Sequence, residues 1–226
     1  MPRQRSYGRQ CRFESLESRK LLAGDVSAKI VNGALVVKGD KLDNGITITA
    51  GATAGTLVVT GVDAGGSATN VNGMSNTGVT LSGFTGGLKI DMKKGNDNVS
   101  ITGLTVAGKS KLEGGKGNDT ITISNTTFSS SLSVDLGKGD DTLSMTGVTV
   151  TGAAKIEGGK GADNVTIAPT SSFSSLDVSL GKGNDTLSIS GTTVSTKTKL
   201  NGGHGTNTFT NGAGNTLNGL TQKNFA

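Results

Sequence analysis

The sequence predicts an all-β fold, a right-handed parallel β-helix with 22 residues in each coil. The first observation is a fixed period, because one glycine recurs every 22 residues from Gly95 to Gly205. The second is the alternation of apolar and polar residues in short runs such as "DTLSMT" at 141–146, which is typical of half-buried strands. The third is that glycine-rich turns separate these runs. A fixed period of this length is characteristic of solenoids, in which each repeat packs on its neighbours.

Apolar columns of the repeat predict which side chains fill the solenoid. Aliphatic residues occupy the same place in successive repeats, so we expect them to point inward and stack between coils. The columns are Val99, Ile121, Leu143, Val165 and Leu187 and, before the turn, Ile90, Leu112, Val134, Ile156, Val178 and Leu200. A further column alternates large residues with glycine: Met92, Gly114, Leu136, Gly158, Leu180 and Gly202. This alternation predicts that neighbouring coils differ at the turn.

The repeat divides the chain into four parts. Residues 1–24 lack strand periodicity and hold every arginine, so they are predicted to be a disordered export or sorting tail. Residues 25–85 contain strands of looser register and are predicted to form an N-terminal β cap with degenerate coils. Residues 86–212 are the regular coils, and residues 213–226 are the predicted C-terminal cap. Caps are expected because open sheet edges pair with other chains.

The charge distribution argues against two classes of partner. The formal net charge is +5, but residues 1–20 alone contain six basic residues against two acidic ones. The rest of the chain has no arginine, the residue that makes the commonest base-specific contacts with DNA. It also has few aromatic residues, on which the bases of single-stranded nucleic acids stack. We therefore expect no nucleic-acid partner. No run of 18 apolar residues occurs, so no membrane-spanning segment is expected either.

The N-terminal tail carries a recognisable segment. The run "RFESLESRKLLAG" at 12–24 resembles the LEPR-XLL segment of many planctomycete surface or exported proteins, although Ser18 replaces the proline of that segment. The matching residues are Phe13, Glu14, Leu16, Glu17, Arg19, Leu21 and Leu22. The resemblance implies export or sorting to the cell envelope, so the expected location is extracellular or in the envelope.

The glycine-rich turns resemble a calcium-binding motif. The segment "GGKGNDTIT" at 114–122 is similar to the Gly-Gly-x-Gly-x-Asp nonapeptide of RTX (hemolysin-type) β-rolls, and "GGKGADNVT" at 158–166 matches it too. The resemblance implies calcium as a cofactor, bound by aspartate carboxylates and glycine carbonyls, the oxygen donors that this ion prefers. The implied ligands are Asp97, Asp119, Asp141, Asp163, Asp185, Gly117, Gly139, Gly161 and Gly183. The RTX nonapeptides follow one another in tandem, whereas here other strand residues, such as 123–135, separate one motif from the next.

The same turns also have an interpretation without an ion. A lysine column stands three places before the aspartate column and could neutralise it. The aspartate side chains could also accept hydrogen bonds from backbone N–H groups of the turn, as aspartates commonly do. The sequence leaves both interpretations open. The lysine column is Lys94, Lys116, Lys138, Lys160 and Lys182, continued by His204.

Two outward-facing columns suggest further candidate sites. Four acids, Asp91, Glu113, Asp135 and Glu157, stand beside lysines on the first strand, and parallel β-helix polysaccharide lyases and hydrolases carry such groups on an outer sheet. An active site interrupts a repeat, whereas this repeat is unbroken, so we expect no enzyme. On the second strand, serines and threonines form a ladder that resembles the flat faces of β-solenoid ice-binding proteins. A plain solvated strand is the other interpretation.

These observations predict a secreted or cell-surface structural or adhesive module, with calcium as an expected stabilising ion. The leading alternative is a dedicated RTX-type calcium-binding domain whose folding depends on the ion. A carbohydrate-active β-helix enzyme is a weaker alternative. The expected partners are surface polysaccharide or other envelope proteins, and the rods could also associate end to end.

Overall fold

The computed structural model describes residues 24–64, 68–75 and 77–226. Every regular element in these ranges is a β-strand, and the strands pair in two large sheets of 14 and 9 strands, called sheet 1 and sheet 2 below. The tail predicted for residues 1–24, with its LEPR-XLL-like segment, lies outside the described residues apart from Gly24.

The strands follow one another along the chain in three groups. The N-terminal group is β1 (Asp25–Val31), β2 (Ala34–Lys38), β3 (Gly45–Ala50), β4 (Thr56–Val62), β5 (Asn70–Val71), β6 (Met74–Ser75) and β7 (Val79–Ser82). The central group is β8 (Leu88–Asp91), β9 (Asn98–Thr102), β10 (Thr105–Val106), β11 (Ser110–Lys116), β12 (Thr120–Ser124), β13 (Thr127–Phe128), β14 (Leu132–Lys138), β15 (Thr142–Thr146), β16 (Thr149–Lys160), β17 (Asn164–Ile167), β18 (Ser172–Lys182), β19 (Thr186–Ile189), β20 (Thr193–Asn201) and β21 (Thr208–Asn211). The last two strands are β22 (Thr216–Leu217) and β23 (Thr221–Lys223).

Successive coils pair in parallel, with paired residues roughly 22 residues apart in the chain. In sheet 1, Leu112 of β11 lies beside Val134 of β14. In sheet 2, Ile121 of β12 lies beside Leu143 of β15. The same pairing continues through β16, β18 and β20 in sheet 1 and through β17, β19 and β21 in sheet 2, which gives about six coils. The parallel β-helix that the period predicts is therefore confirmed.

The interior of the coils is aliphatic, as the alternation in the sequence predicts. In β15, Leu143 and Met145 are fully buried, whereas Thr142 and Thr146 on the opposite side of the strand are exposed. Every member of the two aliphatic columns is buried in the same way. Each buried aliphatic side chain contributes roughly 1.5–3 kcal/mol relative to exposure. Stacked columns of this kind hold sheet 1 against sheet 2.

A short third strand completes each coil and contains one irregularity. Its inward residues, among them Phe128, Val150 and Phe173, are buried. Thr149 pairs with Ser172, one position beyond the regular repeat, and Ser172 pairs with Thr193, one position short of it. The extra residue falls near Thr170, which adopts a positive φ of 65°. Because the next coil is shorter by the same amount, the main columns of the repeat stay in register.

The N-terminal part combines one coil with antiparallel strands. β2 and β3 pair in parallel with β8 and β9, so residues 34–50 occupy the place of a coil. The equivalent positions are much further apart in the chain here than in the regular coils, because β4 to β7 intervene. β1 pairs antiparallel with β2, and β4 pairs antiparallel with both β3 and β7. Antiparallel strands therefore lie beyond this coil in both sheets.

The last residues pack on the final coil. β22 and β23 pair in parallel with β20. The Phe225 ring lies beside the Phe209 ring, with 5.7 Å between the ring centroids. Asn224 accepts a hydrogen bond through its backbone carbonyl from the side chain of Asn207, which is buried in the last glycine-rich turn. These contacts place the C-terminal residues over the end of the coil interior.

Candidate functional site

The candidate calcium ligands lie in the turn that joins the sheet 1 strand of each coil to its sheet 2 strand. The aspartate stands two positions before the first buried aliphatic residue of the sheet 2 strand, as Asp141 does before Leu143. Two positions apart, extended residues share a face. Each aspartate side chain therefore points into the coil and is only 1–2% exposed. We call the resulting column the aspartate ladder: Asn44, Asp97, Asp119, Asp141, Asp163, Asp185 and Asn207.

Side-chain oxygens of the aspartate ladder tie neighbouring coils together. The backbone N–H of Asp119 donates to Oδ1 of Asp141 in the next coil, at 2.7 Å. The same bond recurs at every step from Asn44 to Asn207, with distances of 2.7 to 3.0 Å. Buried backbone N–H groups need such partners, because an unsatisfied one is costly. The ladder supplies them at the point where the chain leaves one sheet for the other.

A second column, one residue earlier, makes the opposite connection. The backbone N–H of Asn118 donates to Oδ1 of Asn96 in the preceding coil, at 2.8 Å, and Asp140 donates to Oδ1 of Asn118 at 2.9 Å. Asp43 begins this exposed column by accepting from Asn96. We call it the outer ladder. The two ladders run in opposite directions, so each inner coil is held to both of its neighbours.

The glycines of the turn are explained by how closely the coils approach. Gly117 and Gly139 have φ values of +120° and +130°, which side chains rarely adopt. A Cβ atom at residue 139 would also collide with the carbonyl oxygen of Gly117 in the preceding coil. Gly161 and Gly183 meet the carbonyl of the preceding coil in the same way. This column is therefore glycine for steric reasons that involve no ion.

The alternation of large residues with glycine is explained by the carboxylates. Oδ2 of Asp119 lies 2.6 Å from where a Cβ at Gly114 would be, and Oδ2 of Asp163 lies 2.5 Å from that point at Gly158. In the intervening coils this place is filled by Leu136 and Leu180, which are fully buried. Neighbouring coils thus differ at the turn, as predicted, because alternate carboxylates lie over glycine.

The second carboxylate oxygen of each aspartate has no partner. Oδ2 of Asp97, Asp119, Asp141, Asp163 and Asp185 is buried without a hydrogen bond. Burial raises the pKa of Asp141 to about 8, of Asp97 and Asp163 to about 7, and of Asp119 to about 6. The bond from each preceding N–H opposes this shift, whereas the neighbouring carboxylates mostly add to it. The ladder therefore holds protons that exposed aspartates would lose.

The lysine column does not neutralise the aspartate ladder. Lys116 and Lys138 are exposed, whereas the aspartates point inward. The ion pairs between described residues all lie on sheet 1, joining Lys111 to Glu113, Lys155 to Glu157 and Lys199 to Asp177. Among the described residues no ion pair joins the lysine column to the aspartate ladder, because alternation along the chain separates the two columns. The carboxylates do accept backbone N–H groups, but from the neighbouring coil.

The unpartnered carboxylate oxygens of the turn are donors of the kind that calcium prefers. Each coil from Asp97 to Asp185 has one buried carboxylate oxygen without a partner, and calcium prefers oxygen donors. Side chains alone do not form a cage, since no group of three or more His, Cys, Asp or Glu residues in the described ranges is arranged to hold a metal ion. Backbone carbonyls of Gly117, Gly139, Gly161 and Gly183 would have to complete the shell. The calcium ligands stay a prediction.

The four outward acids form a column on sheet 1. Asp91, Glu113, Asp135 and Glu157 are neighbours in register, one from each coil. Glu113 bonds Lys111 at 2.6 Å and Glu157 bonds Lys155 at 2.8 Å. Burial and the adjacent glutamates raise the pKa of Asp135. Two of the four carboxylates are thus engaged with lysines of their own strand.

Sequence reasoning missed the N-terminal end of the aspartate ladder, Asn44, and the whole outer ladder. Asn44 and Asn207 occupy ladder positions without being aspartates, and Asn44 lies outside the regular register of the coils. The inward direction was detectable, because Asp141 and Leu143 are two residues apart in one extended run. The outer ladder was also visible as a column of Asn96, Asn118, Asp140 and Asn184, which Ala162 interrupts.

Comparison with known proteins adds no assignment to this geometry. No helix among the described residues is long and apolar enough to cross a membrane. Searches with models of protein families, among curated proteins and among solved structures found no match.

Proposed function

We propose that this chain is a structural or adhesive β-solenoid module of the cell surface or the extracellular space, without enzymatic activity. One observation carries the proposal: the core columns and the aspartate ladder repeat from β8 to β21 without a break. A catalytic site needs a few side chains in an arrangement unlike their surroundings. A repeated arrangement instead serves to extend a rod of constant cross-section.

The proposed location rests on the resemblance of residues 12–24 to a planctomycete surface-protein segment. It is tested by treating intact cells that produce the protein with a protease that does not enter them, followed by immunoblotting. The proposal expects the chain to be lost from intact cells or to be found in the medium. A chain that is protected until the cells are lysed would contradict it. A cytoplasmic protein of similar size serves as the control for cell integrity.

A second candidate, a dedicated calcium-binding domain, is favoured by the unpartnered Oδ2 atoms of the aspartate ladder. Five aspartates in successive coils offer four sites between coils. Affinity in the range of roughly 10⁻⁴–10⁻³ M would be typical of extracellular modules. Because a bound cation needs the ionised carboxylate, calcium binding should release protons between pH 6 and 8.

Calorimetry at millimolar calcium tests this second candidate. In two buffers of different ionisation enthalpy, proton release makes the observed heat depend on the buffer. Asp141→Asn should disturb two neighbouring sites, whereas Asp97→Asn, at the end of the aspartates, should disturb one. Absence of heat in both buffers and an unchanged melting temperature would remove the candidate.

A further inference from the structure

Charge is divided unequally between the two sheets. The outward positions of sheet 1 carry lysines and acids, for example Lys111 and Glu113 of β11. In sheet 2, every outward position within β9, β12, β15, β17, β19 and β21 is a serine, a threonine or an asparagine. We call this surface the hydroxyl face. It continues without charge into β3, through Thr47 and Thr49.

The side chains of the hydroxyl face are available to a partner. Thr142 and Thr186 are exposed, and Ser144 and Ser188, two positions later on the same strands, are half-buried. Within the described residues, one hydrogen bond joins two side chains of this face, between Thr102 and Ser124 at 3.0 Å. The remaining hydroxyls are left to solvent. The face therefore offers many groups that both donate and accept hydrogen bonds.

The face is also periodic. Parallel register places Thr120 beside Thr142 and Thr122 beside Ser144 in adjacent coils. Neighbouring coils are about 4.8 Å apart, and outward residues of one strand are about 6.6 Å apart. Six coils thus present an array roughly 25 Å long with similar groups repeated along it. Such an array suits a partner that is itself a repeating polymer.

The absence of charged side chains on the hydroxyl face limits the chemistry of that partner. A charged polymer would lose hydration on this face without meeting an opposite charge. An apolar partner would leave the hydroxyls without hydrogen bonds. An uncharged, polyhydroxylated polymer matches the face in both respects. We propose that the hydroxyl face of sheet 2 binds an extended neutral polysaccharide. The proposal rests on the proposed function, since it names the partner of an adhesive module.

The composition of the face predicts how this binding behaves. It has no aromatic side chain on which a sugar ring could stack. Each hydrogen bond replaces one made to water, so a single contact adds little. Affinity must come from many coils engaging one polymer together. Short oligosaccharides should therefore not compete measurably, whereas the polymer should retain the protein.

The experiment is co-sedimentation of the full chain with insoluble neutral β-glucan particles, alongside carboxylated and amine-bearing polysaccharide particles. The face variant is Thr142→Lys with Thr186→Lys. The matched control is Ala153→Lys with Ser179→Lys, which adds the same charge to outward positions of sheet 1. A second control, Thr142→Ser with Thr186→Ser, keeps the hydroxyls. Circular dichroism verifies that all variants fold.

The proposal expects the wild type to sediment with neutral glucan, at least a tenfold loss for the face variant, and no loss for either control. It is overturned if the wild type binds only charged particles or none, or if both lysine variants lose binding equally. It is also overturned if the face variant merely converts a dimer into a monomer in analytical ultracentrifugation. A surface-exposed chain that fails to bind glucan would contradict this inference alone. A chain that binds glucan but remains inside cells would contradict the proposed function.

Discussion

The backbone N–H of Asp119 donates a hydrogen bond of 2.7 Å to Oδ1 of Asp141, 22 residues later in the chain. Both residues are almost fully buried, and the bond joins two coils at the turn. It assigns the two carboxylate oxygens different roles. Oδ1 fixes the register of the coils, while Oδ2 lies in the interior without a partner.

Substitution at Asp141 separates the role of Oδ1 from that of the charge. Asp141→Asn keeps the acceptor, as Asn207 already does in this column by accepting from the backbone N–H of Asp185, and is expected to fold with little loss of stability. Asp141→Ala removes the acceptor of the Asp119 N–H and should cost about 1–3 kcal/mol. Denaturant unfolding monitored by circular dichroism measures both. The control is Asp140→Asn on the exposed outer ladder. If Asp141→Ala were as stable as Asp141→Asn, Oδ1 would have no role in register.

Stability should fall as the pH rises from about 4 to about 8. The folded state raises the pKa of Asp141 to about 8 and of Asp97 to about 7, above the ordinary value of 3.8. Between these limits the folded chain binds more protons than the unfolded chain, so the free energy of unfolding decreases with pH. The contribution is complete below pH 4 and lost above pH 8.

Thermal unfolding across this pH range, in the presence of a chelator, measures the effect. A variant with Asp141→Asn and Asp163→Asn should show a shallower decline, because two of the titrating groups are gone. The variant Asp91→Asn on the outward side of sheet 1 serves as the control for a simple loss of negative charge. A melting temperature that is constant or rises between pH 4 and 8 would contradict the prediction.

The glycine column should not tolerate a methyl group. Gly139→Ala places a Cβ against the carbonyl oxygen of Gly117 and keeps an unfavourable positive φ, so we expect a loss above the roughly 1–3 kcal/mol of backbone strain alone. Gly103→Ala is the matched control, since Gly103 has a φ of +68° but nothing within 4 Å of its added Cβ. If denaturant unfolding gave the same loss of stability for both variants, the close approach of neighbouring coils would add nothing to the cost of the substitution.

A charge in the aliphatic column should unfold several coils. Leu143 is fully buried between Ile121 and Val165, so Leu143→Asp places an unpaired carboxylate among aliphatic side chains. Ser144→Asp, on the half-buried outer side of the same strand, is the control. Thermal unfolding should show a large decrease in melting temperature for the first variant and a small one for the second. Wild-type behaviour of Leu143→Asp would contradict the register of sheet 2.

The sequence was sufficient to predict the coils, because one fixed period places Ile121, Leu143 and Val165 in the same column. It was insufficient for the N-terminal coil, where β4 to β7 lengthen the separation and hide the equivalence of Asn44 with Asp97. The sequence also left the partners of the turn aspartates open. Lysines and aspartates form parallel columns in the sequence, yet alternation along the chain places the lysines on the surface and the aspartates in the interior of the coil.

The central claim is that hydrogen bonds of the aspartate ladder, together with the aliphatic core, hold the coils without an obligatory ion. Circular dichroism of the full chain at pH 6, after removal of metal ions and in the presence of a chelator, tests it most directly. The account predicts a β-sheet spectrum and a cooperative thermal transition under these conditions. An unfolded spectrum that becomes β-sheet only when calcium is added would contradict it, and would identify the chain as an ion-dependent calcium-binding domain.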